Sequence, residues 1–226
     1  MKGKSGRTVL LCAAVGLCLL GGILLGRRAP EKLPGVISEN PAKSPAVSAA
    51  VPTPTAEGAP AELLYITPAR EGYVSGDLVL KIPKLAVAVP VLDGVDAATL
   101  LEGVGLYDYA QLPDEPEGNT SIAGHRNGLQ NGIITDNMPF YYLDTLCRGD
   151  CLYLTDESHI YQYAFEDQTV VEPDDWGPIY SQGFSCLTLT SCTPITTATH
   201  RIVIQAKLHA TLPRTAEYCY PTALEE

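Results

Sequence analysis

From about residue 78 to residue 208 the chain is written in short stretches of alternating apolar and polar residues, separated by Gly, Pro and Asp. A period of two sends successive side chains to opposite faces of a strand. The stretches that carry it are Leu78–Ile82 (LVLKI), Ala86–Leu92 (AVAVPVL), Thr120–His125 (TSIAGH), Cys151–Thr155 (CLYLT), Tyr161–Phe165 (YQYAF), Cys186–Thr190 (CLTLT) and Arg201–Leu208 (RIVIQAKL). Strands this short and this closely spaced predict a closed or sandwiched all-β fold. Two windows, Ala97–Leu101 and Pro139–Thr145, are predicted as short helices. No internal repeat is visible.

The last two stretches put chemistry next to each other. In CLTLTSC, Cys186, Thr188, Thr190 and Cys192 share one strand face, and Leu187 and Leu189 share the other. In RIVIQAKL, Ile202, Ile204, Ala206 and Leu208 lie opposite Arg201, Val203, Gln205 and Lys207. The connection TPITTATH is short enough for an antiparallel pair, so Cys192 and Arg201 are expected at the same rim. A guanidinium beside a thiol favours the thiolate, the nucleophilic form, and also offers donors to a developing oxyanion. The competing interpretation of Cys192 is a small buried strand residue, which is how Cys186 is taken. A thiol nucleophile also needs a base or charge partner. His125 closes a predicted strand beside Gly124 and Arg126, and His200 adjoins Arg201; both are candidates on chemistry alone. His159 and His209 fit turn and surface positions.

Outside the strands the chain changes character. Val9–Gly26 is an uncharged run of eighteen residues flanked by Lys2, Lys4, Arg7, Arg27 and Arg28. That is about enough to cross a hydrocarbon core. A cleaved signal peptide is the alternative, but Gly-Arg-Arg-Ala-Pro is a poor cleavage site. Ala29–Pro60 holds seven prolines, seven alanines and no aromatic residue, a composition that cannot bury a core. The expected organisation is a basic N-terminus over 1–8, a transmembrane signal anchor over 9–26, a Pro/Ala-rich linker over 27–60, a catalytic domain over 61–212 and a tail over 213–226.

The formal charge of −11 sharpens when the first 28 residues, with five basic side chains and no acidic ones, are set aside. So acidic a surface excludes nucleic acid as a natural partner. Acidic clusters at Asp114–Glu117 and Glu172–Asp175 lack the ligand spacing of a Ca²⁺ loop, no zinc pattern occurs, and no cofactor or metal is expected. Five cysteines follow the anchor, an odd number that leaves at least one thiol unpaired; Cys147 and Cys151 in CRGDC are candidates for a bridge.

NTSIAGHRNG, TLTSCTP and THRIVIQA resemble, in that order, the His, Cys and Arg motifs of the sortases, membrane-anchored cysteine transpeptidases of Gram-positive bacteria. LVLKIPKLAVAVPVLDGVD, LDTLCRGDCLYL and YQYAFEDQTVVEPDDW are similar to supporting strands of that family, so the resemblance covers about Gly72–Leu208. It implies an eight-stranded sortase-type β-barrel with short helices, displayed outside the cell on a single-pass anchor. It also implies a catalytic trio of His125, Cys192 and Arg201, with Thr190 and Thr193 as substrate or oxyanion contacts. The reaction implied is cleavage of a Leu-Pro-x-Thr-Gly-type sorting signal after Thr, through a thioacyl-enzyme. The surface protein or pilin then passes to an amine, such as a lipid II cross-bridge or a pilin lysine. The short Cys-to-Arg loop is most similar to class C, or class D-like, sortases, although residues 29–71 contain no aspartate for a class C lid. Ser191 stands where the family more often has Thr. Two other functions fit an exported Cys/His chain: an L,D-transpeptidase, whose motif Ser-Cys-Thr-Pro does not match, and a non-catalytic surface β-domain. Leu212–Ala216 (LPRTA) resembles a sorting signal inside the chain itself, without the apolar span that should follow one.

Overall fold

Residues 65–224 are described by a computed structural model. The expected anchor and linker lie outside these residues. The barrel strands are β1 (Val79–Ile82), β2 (Val87–Asp93), β3 (Val104–Leu106) and β4 (Asn119–Gly124). A separate hairpin follows, β5 (Gly128–Gln130) with β6 (Ile133–Thr135). The barrel resumes with β7 (Cys151–Thr155), β8 (His159–Val171), β9 (Cys186–Thr193) and β10 (His200–Pro213). It closes in the order β1-β2-β3-β4-β9-β10-β8-β7. Closure removes every exposed strand edge from an otherwise small all-β domain.

The alternation seen in the sequence sets the inside of the barrel. Leu80, Ile82, Leu106, Ile122, Leu152, Leu154, Leu187, Leu189 and Ile204 are fully buried in one core. Two neighbours are parallel: β2 with β3, joined across helix α2 described below, and β4 with β9. β3 is too short to announce itself by pattern, and the β5–β6 hairpin carries Leu129 and Ile133 outward, so neither was legible as a strand.

Two helices flank the sheet. α1 (Pro68–Glu71) starts where the Thr67 hydroxyl accepts from the Arg70 amide. Its Arg70 is buried and ties the segment before β1 to the barrel. Nε donates to the Tyr107 carbonyl at 2.9 Å and Nη2 pairs with Asp93 at 2.7 Å. α2 (Ala97–Glu102) is the helix expected at 97–101; Asp96 caps it by accepting from the Ala98 and Thr99 amides. The helix expected at 139–145 is instead a turn that ends in one 3₁₀ turn at Leu143–Thr145.

The tail over 213–226 does not stand apart. Tyr218, Tyr220 and Leu224 pack on Cys151, Tyr153 and Ile160, while Tyr153 Oη donates to the Pro221 carbonyl at 2.8 Å. The Cys151 amide donates to the Thr222 carbonyl and the Leu224 amide to Gly149. The outward side chains of β7 are therefore as dry as its inward ones. Leu212 and Pro213 belong to β10, and the Arg214 amide donates to the Ser158 carbonyl. That places LPRTA eleven residues along β10 from Arg201, on the order of 35 Å by strand rise, which rules out docking of this stretch at Cys192. Cys147, Cys151, Cys186, Cys192 and Cys219 are all free thiols, so the bridge considered for CRGDC is not formed: Cys147 is exposed while Cys151 is buried under the tail.

Candidate active site

Three strands meet at one rim. β9 and β10 pair antiparallel with Cys192 directly opposite Arg201, as the length of their connection required. β4 and β9 pair in parallel, with Ala123 opposite Thr190. Carrying that register two residues further brings His125, just beyond the end of β4, level with Cys192. The Ser191 hydroxyl locks the alignment by donating to the Gly124 carbonyl at 2.7 Å. The topology thus sets Cys192 against Arg201 and ends β4, one residue before His125, beside the strand of the thiol, from sequence positions up to 76 residues apart.

Gly124 is required by packing rather than by backbone angle. A Cβ there would lie 2.6 Å from the ring of Phe140, which is fully buried. A side chain at 124 would therefore have to displace the Phe140 ring or the end of β4, next to His125. His125 itself is half-buried.

Arg201 is 9% exposed and its Nη1 donates to the carbonyls of His200 and Ala198 at 3.0 and 3.3 Å. Among the described residues it forms no ion pair, so its charge is not spent on a neighbouring carboxylate. Cys192 is 7% exposed. Burial pushes its thiol up from the ordinary range, and the positive charges of Arg201 and Arg126 only partly offset this. Burial also lowers the His125 pKa. The thiolate expected from the arginine alone is thus corrected: at Cys192 dehydration outweighs the guanidinium, and burial favours the neutral form of both thiol and imidazole.

The two threonine candidates separate. Thr190 shares the face of Cys192, but its hydroxyl is held 2.8 Å from the Tyr107 hydroxyl, and both are buried. Tyr107 is pushed up to about 12 by burial and stays protonated. Thr193 alternates to the other face of β9 and lies opposite His200, so its side chain is not brought to Cys192. His200 faces Glu172, with Nε2 3.4 Å from its carboxylate. His159 sits 3.5 Å from Asp156, far along the barrel, and His209 is exposed on β10.

Two participants escaped the alternating pattern. Tyr107 follows β3 and closes over Thr190. Arg126 is buried immediately after His125, with Nε donating to the Tyr141 carbonyl at 2.7 Å and Nη2 2.8 Å from Asp144. A basic residue next to a candidate base was the only sequence signal for Arg126, and nothing marked Tyr107. Below the rim, on the same outward face as Arg201, lies a groove of about 420 Å³. Thr169, Val203 and Gln205 form its floor, and Asp167, Asp175 and Gln182 its walls.

Comparison with known proteins identifies the family to which this fold belongs. A family model described as the sortase domain matches residues 80–209. Sortase SrtE1 of Streptomyces coelicolor is 30% identical over 154 residues, covering 62% of this chain and 42% of the relative. Sortase D of Bacillus subtilis is 31% identical over 140 residues, covering 60% and 64%. The chain spans between 42% and 64% of the length of the curated relatives it matches. Among solved structures, sortase E1 from Streptomyces coelicolor with a tripeptide in its active site superposes with a TM-score of 0.54 or better, namely 0.56, at 28% identity, covering 64% of this chain and 94% of that one. Sortase C-3 from Streptococcus pneumoniae gives 0.54 at 29% identity, covering 61% and 64%.

Proposed function

The chain belongs to the sortase family, and from that premise we propose that it is a cysteine transpeptidase working through His125, Cys192 and Arg201. The observation that carries the proposal is the register: Cys192 faces Arg201 across β9 and β10, and β4, paired in parallel with β9, ends one residue before His125. An L,D-transpeptidase falls with the family match. A non-catalytic β-domain would have no need of an unpaired, buried Arg201 beside a buried thiol.

The chemistry follows from the groups present. Sγ of Cys192 attacks the carbonyl carbon that follows Thr in a Leu-Pro-x-Thr-Gly-type signal, giving its proton to His125 as the C–S bond forms. Arg201 stabilises the tetrahedral oxyanion. The C–N bond then breaks as His125 returns the proton to the departing amine, leaving a thioacyl-enzyme. A second amine attacks the thioester, loses its proton to His125, and releases the thiol. The groove beside Arg201 gives the extended signal a floor of β-strand. The amine is a cell-wall cross-bridge or a pilin lysine, the second being supported by similarity to a Streptococcus pneumoniae sortase C whose structure is described in terms of pilin substrate specificity. The apolar run at 9–26 holds such an enzyme on the outer face of the membrane as a single-pass protein, acting as a class C- or class D-like sortase. No cofactor takes part.

The test is incubation with Leu-Pro-x-Thr-Gly-type peptides, with and without an added amine, read by mass spectrometry. A thioacyl adduct on Cys192 and amine-exchanged product are expected, with loss of at least about 10³-fold in Cys192→Ala. Equal turnover by Cys192→Ala would sink the proposal.

A further inference from the structure

His125 has no strand of its own to hold it; its two neighbours do that. On one side the Gly124 carbonyl is bound by Ser191, one residue from the nucleophile. On the other, Arg126 reaches across to the Tyr141 carbonyl and the Asp144 carboxylate. Asp144 belongs to the 3₁₀ turn Leu143–Thr145, whose Leu143 is fully buried in the core. The imidazole is thus bracketed between the strand that carries the thiol and a turn anchored in the barrel.

Stability alone is a poor reason for this arrangement. Burying a guanidinium costs several kcal/mol, and replacing a buried ion pair by apolar packing is often neutral or better. Here the carboxylate partner is 53% exposed, which weakens the return, and Nη1 of Arg126 has no acceptor at all among the described residues. What Arg126 does provide is direction. Two donors of one rigid plane fix the backbone that leaves β4, which a flexible lysine or an apolar side chain cannot do.

We propose that Arg126 is a positioning residue for the transpeptidation, fixing the His125 imidazole against Cys192 by clamping the turn after β4 onto Tyr141 and Asp144. This rests on the function proposed above. The charged and titratable groups that act on Cys192 are Arg201 from β10, Tyr107 from the loop after β3, and Arg126 from the turn after β4, beside His125. Loss of Arg126 removes one of the two cations that favour the thiolate as well as misplacing its proton acceptor.

The experiment compares the full-length chain with Arg126→Met, Arg126→Lys and Asp144→Asn. It reads kcat and KM on a Leu-Pro-x-Thr-Gly peptide with an added amine, the melting temperature, and the pH dependence of Cys192 alkylation by iodoacetamide, located by peptide mass mapping. Arg126→Met is expected to lower kcat by about tenfold to a hundredfold with KM little changed, and to move the alkylation midpoint to higher pH. Arg126→Lys keeps the charge and so the alkylation midpoint, yet loses about fivefold or more in kcat because it cannot hold both partners. Asp144→Asn, at a half-exposed position, folds and loses about threefold to tenfold in kcat. Should Arg126→Met fail to fold, Asp144→Asn and Arg126→Lys decide. A kcat within twofold of the parent in the folded variants, or a lower melting temperature with kcat and alkylation unchanged, overturns the proposal. If no peptide is turned over even by the parent, the functional assignment is what fails. Alkylation needs no substrate, and an unshifted midpoint in Arg126→Met then overturns the role of Arg126 as well.

Discussion

At the scale of single residues the site is governed by a contest between dehydration and charge over one proton. Cys192 is pushed up and His125 down, both chiefly by burial. The reactive pair of thiolate and imidazolium is therefore a minor form of the free enzyme, filled from the neutral pair by moving the proton between them. Its population is greatest between the two pKa values: below the His125 value both groups are protonated, and above the Cys192 value both are deprotonated. The expected kcat/KM profile is a bell with its acid limb below about 6.5 and its alkaline limb above about 8.5, the unperturbed imidazole and thiol values. Measuring kcat/KM from acid to alkaline pH checks this, and an alkaline limb falling well below pH 8.5 would mean that Arg201 and Arg126 prevail over burial at Cys192 after all. The sequence placed the thiol and the guanidinium correctly but overrated the guanidinium, because alternation says which face a residue occupies and not how dry that face is.

At the scale of elements the decisive feature is how β4 ends. Asn119–Gly124 is fully buried along its length, and the chain must turn out of it within one residue to expose His125. Phe140 fills the space that a side chain at 124 would need. Gly124→Ala forces either the ring or the strand end to shift, and overpacking of this kind costs on the order of 1–3 kcal/mol. Thermal unfolding should show that loss, together with a fall in kcat larger than instability alone explains, since the residue displaced is the neighbour of His125. Retention of both parental melting temperature and kcat would mean that the site tolerates movement of the β4 terminus. β9 offers the complementary lesson. Its polar residues Thr188 and Thr190, on the face of Cys192, are both buried. Tyr107, from a segment without any periodic signal, covers Thr190.

For the whole molecule, the barrel is finished by parts outside its strands. Arg70 ties down the segment before β1, and residues 218–224 seal the outer side of β7. Ending the chain after Ala216 would expose Tyr153 and Cys151 and remove the edge-on contacts of Tyr218 and Tyr220 with Tyr153. A loss on the order of 3 kcal/mol is expected from the apolar area uncovered. That corresponds to a melting temperature lower by about 6–12 °C in a domain of this size. Alkylation of Cys151, protected in the intact chain, should appear in the shortened one. An unchanged melting temperature with Cys151 still protected would show that the tail is dispensable. Activity per folded molecule should hardly change, because the tail covers the part of the barrel that β7 forms and not the rim at Cys192.

The sequence by itself determined the class of the fold, the inward and outward faces of most strands, and the juxtaposition of Cys192 with Arg201. All of these follow from short-range facts: a period of two and a connection too short for anything but an antiparallel return. Alternation leaves open which histidine joins them, and His125 is implied there only by the motif resemblance. His200 is the nearer in sequence but turns to Glu172, whereas His125 arrives through a parallel pairing of β4 with β9 that no local pattern encodes. Only the tertiary structure decided the protonation state of the pair, the role left to Arg126 and the folding back of the tail. Each of these depends on what lies over a surface, and alternation along a strand carries no information about its cover.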